Sequence, residues 1–69
     1  MAVLIGREYN KILGKCQNIW LSDDGSELTA NFDPDSAEGS TIIVIADDTT
    51  YMKNTQHKWQ KCGSVEVIE

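Results

Sequence analysis

Histidine occurs once in this 69-residue chain, proline once and cysteine twice, and each scarcity closes off a class of chemistry. His57, Cys16 and Cys62 are too few soft ligands for a structural zinc site, and neither cysteine belongs to a C-x-x-C pair. No apolar run approaches the roughly 18 residues that span a bilayer, so no transmembrane segment is read. The start, Met1-Ala2-Val3-Leu4-Ile5-Gly6, has no basic residue and only a short apolar stretch, unlike a signal peptide. Without a secretory leader, Cys16 and Cys62 are read as reduced, partly buried thiols in preference to a long-range disulfide. Lysine and arginine are missing altogether between Leu21 and Thr50. With a net charge of −5, the chain lacks the clustered cations that grip a phosphate backbone, so nucleic acid is not an expected partner, and without a spanning segment neither is a membrane.

What the chain does contain points to a single small β domain spanning residues 1–69. A chain of this length buries only about 60% of the surface its unfolded form exposes. A single core at this size rarely supplies more than about 3–5 kcal/mol, which is why small proteins commonly add a disulfide, a metal or a partner chain. Turn-forming residues are dense: Gly6, Gly14, Asp24-Gly25, Asp33-Pro34-Asp35, Gly39-Ser40, Asp47-Asp48 and Gly63-Ser64 cut the chain into pieces of strand length. Leu4, Ile5, Tyr9, Ile12 and Leu13 fall near a 3.6-residue period and leave room for a short N-terminal helix, which Gly6 and Gly14 weaken.

Asn18–Leu21 and Glu27–Phe32, joined across Asp24-Gly25, read as a hairpin, with Leu28, Ala30 and Phe32 on one face. Asp33–Gly39 reads as a surface loop. Thr41-Ile42-Ile43-Val44-Ile45-Ala46 is β-branched almost throughout and apolar on both sides of the pleat, the pattern of a central strand or one covered by another chain. Asp47-Asp48-Thr49 turns it into Thr50–Lys53, and Asn54–His57 turns again into Lys58–Cys62. Val65–Glu69 alternates as a last strand. The expected fold is therefore all-β, a small antiparallel meander of hairpins.

Catalytic and metal-binding motifs fare poorly. Asp33-Pro34-Asp35-Ser36-Ala37-Glu38 resembles a calcium loop only until Ala37 falls where a third oxygen ligand belongs. His57 lies in polar turn sequence and reads as solvated, with no context pairing it to a cysteine nucleophile. No glycine-rich loop precedes a helix start that could hold phosphate. Neither an enzyme nor a cofactor is expected. Tyr51 and Trp59 read as a cross-strand aromatic pair or core anchors. Eight of the eleven acids lie between Leu21 and Thr50, either as solvated turns or as a face for a basic partner.

Residues 39–59, GSTIIVIADDTTYMKNTQHKW, resemble a hairpin motif of small bacteriophage and prophage proteins, the head-fibre or tail-associated accessory components of virions. The shared positions are Gly39, Ser40, Thr41, Val44, Ile45, Tyr51, Met52, Asn54 and Trp59. Ala46 stands where that motif has an aspartate, which here comes one place later as Asp47. The resemblance implies a non-enzymatic structural protein of the virion or the host cytoplasm. Its partner would be a copy of itself, as in a trimer, or a larger capsid or tail protein. The interaction residues expected on this reading are Ile43, Ile45, Tyr51, Met52 and Trp59. The competing expectation is a small acidic inhibitor that presents residues 21–50 to a basic host surface.

Overall fold

The apolar, β-branched segment at the chain's middle forms the central strand of a five-stranded sheet. A computed structural model describes residues 1–69. Its strands are β1 (Ala2–Asn10), β2 (Lys15–Ser22), β3 (Thr41–Val44), β4 (Thr49–Lys53) and β5 (Trp59–Lys61), lying side by side in chain order. The protein is all-β and contains no helix. Three of the four pairings are antiparallel hairpins, whereas β2 and β3 run parallel. Parallel neighbours need a connection of a dozen residues or more. Here residues 23–40 provide it and lie across one face of the sheet.

That crossover replaces the expected hairpin between Asn18 and Phe32. The Asp24-Gly25 turn does form: Gly25 has φ +76°, its amide donates to Ser22 Oγ, and the Ser26 amide donates to Asp24 Oδ1. From there to Phe32 the backbone makes only local turns, with Leu28 N–H donating to Gly25 O and Phe32 N–H to Thr29 O. Leu21 and Ser22 are instead paired with β1 and β3, which leaves no edge of β2 for Glu27–Phe32 to join. The expected N-terminal helix is strand β1. A bulge between Leu4 and Gly6 shifts its alternation, which is why its apolar residues imitate a helical period. The terminal segment pairs only through Val67, opposite Gln60, and is not a full strand.

The crossover builds the core. Ile42 and Val44 of β3 and Trp59 of β5 are buried beneath it, together with Ala37 of the crossover itself. Trp20 meets Phe32 edge-on at 5.1 Å between ring centroids, and Phe32 meets Trp59 at 5.8 Å. Only 9 of 69 residues are buried, so the chain depends heavily on polar fastenings between crossover and sheet.

Candidate interaction surface

The fastenings centre on Asp33. Its carboxylate accepts hydrogen bonds from Asn18 Nδ2 at 2.9 Å and Trp20 Nε1 at 2.8 Å. Its carbonyl accepts from Ser36 Oγ at 2.8 Å and from the ammonium of Lys53 at 2.6 Å. Lys53 Nζ also reaches Ser36 Oγ at 2.7 Å and stands 5.0 Å from the centroid of the Trp59 ring. Burial pushes the Lys53 ammonium below its ordinary pKa, an effect the charge of Asp33 opposes.

A serine hydroxyl beside a lysine amine can form a nucleophile and base. Here both side chains are buried and occupied by crossover groups, and no buried side-chain nitrogen or oxygen lacks a partner. The cluster holds the crossover in place.

His57, expected to be solvated, is half-buried: Nδ1 lies 2.9 Å from Glu38 Oε1 and Nε2 lies 2.9 Å from Pro34 O. The hydrogen bond from His57 is the main cause that holds the Glu38 carboxyl below its usual range. Glu27 bonds to Ser22 Oγ at 2.8 Å and to the Met1 ammonium at 2.8 Å. Those contacts, the ammonium first, lower its pKa to about 2. Thus three acids of the 21–50 segment, Glu27, Asp33 and Glu38, are engaged within the fold. Asp33–Gly39 is more than a surface loop, because Ser36 and Ala37 are fully buried in it.

The opposite face of the sheet has no such cover. Cross-strand register places Val3, Leu21, Ile43 and Thr50 in one row, and Gly6, Ile19, Thr41, Met52 and Gln60 in the next. Val3, Ile19 and Met52 are exposed, and Leu21 and Ile43 are half-buried. Gly6 is close-packed here, since a Cβ on it would lie 3.3 Å from Ile19 Cδ1. Glu8 is the only acid on any of the five strands.

Of the five expected interaction residues, Ile43 and Met52 lie on this uncovered face. Ile45 is exposed in the β3–β4 turn. Tyr51 is half-buried on the crossover side and pairs with Lys61, while Trp59 is a core residue opposite Lys53. The two aromatics do not form a cross-strand pair, because the Asn54–Lys58 turn sets the register so that Trp59 meets Lys53. Sequence reading missed Val3 and Ile19 on the uncovered face, and Asp33 of the crossover with Lys53 beneath it. Lys53 carried one signal, sharing the pleat side of Tyr51 two residues away.

Both thiols are free, Cys16 half-buried and Cys62 exposed. No three histidine, cysteine, aspartate or glutamate side chains converge as a metal site would require. Comparison with protein-family models, curated proteins and solved structures finds no match for this chain.

Proposed function

We propose that this chain is a non-enzymatic association module, working through the uncovered face of its sheet as a virion accessory component of the kind its 39–59 hairpin resembles. The observation that carries the reading is the one-sided cover: the crossover shields Ile42 and Val44, while Ile19, Ile43 and Met52 face outward. The first occupant proposed is a second copy. Two such faces meet without opposed carboxylates apart from Glu8, because the remaining acids lie in the turns, the crossover and the tail.

The magnitudes favour weak pairing. Complete burial of such side chains is worth about 1.5–3 kcal/mol each, and Val3, Ile19 and Met52 are 54%, 43% and 45% exposed, which leaves about 2–4 kcal/mol per copy. Two copies gain about twice that, against an association cost of about 4–15 kcal/mol. Pairs alone are therefore marginal. A particle presenting many copies, or a larger capsid or tail protein, would turn the same face into a firm attachment through multivalency.

Light scattering over a concentration series tests this. The mass should rise above 7.7 kDa as the protein approaches about millimolar concentration, the range of such weak affinities. Ile19→Lys should weaken the association about tenfold or more without unfolding the chain. A constant single-chain mass at the highest concentration, unchanged by Ile19→Lys, would remove the reading.

A second reading, the acidic inhibitor, draws support from the parallel pair. β2 and β3 end together, and Ala46 N–H donates to Asp23 O at 2.9 Å. That brings the exposed Asp23, Asp24, Asp47 and Asp48 to one end of the sheet. A partner held there would be lost steeply as salt rises, whereas an apolar contact would not.

A further inference from the structure

The end of the sheet opposite those four aspartates carries the β1–β2 hairpin turn, Lys11-Ile12-Leu13-Gly14. Its Ile12 is 95% exposed, the most exposed large apolar side chain in the protein, and Leu13 and Tyr9 beside it are exposed as well. This exposure is imposed by the backbone. Asn10 Oδ1 accepts the amides of both Ile12 and Leu13 at 3.0 Å, and Asn10 O accepts that of Gly14 at 2.9 Å. Gly14 closes the turn at φ +70°, a conformation that favours glycine. The tip is thus preorganised, with apolar side chains outward and three consecutive amides already bonded.

Charge around the tip is the reverse of the chain's overall balance. Lys11 and Lys15 flank the apolar pair, and Arg7 follows along β1, where its Nε donates to Asn18 Oδ1 at 3.2 Å. Against these three cations stand Glu8 and, on the far side of Asn18 from Arg7, Asp33, whose carboxylate is engaged by Asn18 and Trp20. Glu38, across the sheet toward Lys15, is engaged by His57.

We propose that this hairpin tip docks on an anionic lipid bilayer surface, with Ile12 and Leu13 entering the boundary between headgroups and acyl chains while Lys11, Lys15 and Arg7 meet the headgroups. Three features single out a bilayer. A segment entering an apolar medium must have its backbone donors satisfied internally, and the amides of Ile12, Leu13 and Gly14 are. A convex tip with two apolar side chains requires a matched pocket on a protein, whereas a fluid interface conforms to it. Exposed apolar residues ringed by lysines, with a tyrosine at headgroup depth, are also the composition of interfacial anchors. The sequence-based expectation of no membrane contact considered spanning segments, and docking at an interface needs none. The tip shares none of the apolar residues of the uncovered sheet face, Val3, Ile19, Ile43 and Met52.

Co-sedimentation of the full chain with vesicles tests it, using phosphatidylcholine alone and phosphatidylcholine mixed with phosphatidylserine. Binding should appear on the mixed vesicles, fall as salt rises, and be weak on phosphatidylcholine. Each of Lys11→Gln and Lys15→Gln should lower partitioning about fivefold. Ile12→Ser combined with Leu13→Ser should lower it at least about tenfold, with unchanged circular dichroism. Ile19→Lys should leave it intact, which separates this proposal from the fate of the sheet-face association. Failure to bind either vesicle, or undiminished binding by the Ile12→Ser/Leu13→Ser variant, would overturn the proposal. So would loss of self-association in that variant without vesicle binding, which would assign the tip to a protein contact.

Discussion

Trp59→Phe is the sharpest test of how this small fold holds together. The indole is buried, its N–H donates to Phe32 O at 2.9 Å, its ring packs on Phe32, and the Lys53 ammonium stands over its face. Phenylalanine keeps an aromatic ring there but cannot donate. Leaving a shielded carbonyl without its partner costs about 1–3 kcal/mol. Lost volume and a weaker cation–π contact bring the total to about 2–4 kcal/mol. A single core of this size rarely supplies more than about 3–5 kcal/mol, so the substitution removes most of the margin. Trp20 is then the only tryptophan left, and it reports directly on the crossover through Phe32 and Asp33. In urea, with a slope of about 1 kcal/mol/M for so short a chain, the Trp20 fluorescence midpoint should fall by about 2–4 M. Trp59→Ala should not fold at all. A Trp59→Phe protein melting within about 0.5 kcal/mol of the parent would refute the claim that this indole fastens the crossover, since that is the scale of an ordinary surface change.

Two further outcomes follow from the same fastenings. Asp33→Ala leaves Asn18 Nδ2 and Trp20 Nε1 without their acceptor and should cost about 2–4 kcal/mol, whereas Asp33→Asn keeps one acceptor oxygen and should lose about half as much, measured by thermal melts. Because His57 holds the Glu38 pKa below its ordinary value of 4.5, the Glu38 contribution is present above that value and is lost as pH falls through its lowered folded-state pKa. Acid titration of the folded fraction should therefore be shallower in Glu38→Gln than in the parent, and identical curves would refute the linkage.

Local chemistry and long-range chemistry divide what was legible in the sequence. The strand read over Thr41–Ala46, which forms as far as Val44 and leaves Ile45 and Ala46 to the turn, the strand read over Thr50–Lys53, which begins at Thr49, and the turns at Asp47-Asp48 and Asn54–His57 were readable because propensity and turn residues settle them within a few positions. The Asp24-Gly25 turn was readable too, but not its consequence, because the same turn can open a hairpin or a crossover. Nothing local to Leu21 reveals that its partner on the far side is Ile43. The roles of Asp33 and Lys53 were hidden for the same reason, as each acts on residues 13 to 20 positions away.

The candidate face follows from that hidden choice. Ile42 and Ile43 are identical in chemistry, so the apolar pattern of β3 cannot say which of them the chain covers. A parallel connection has to pass over one side of the sheet, and here it passes over Ile42. Residues 23–40 are then spent, and the tail beyond β5 reaches only as far as Gln60 and its neighbours. None of the remaining residues of 1–69 crosses Ile43, so the two-sided strand is covered by its own fold on the Ile42 side only. Topology, and not apolar content, decides that this side carries Val3, Ile19 and Met52.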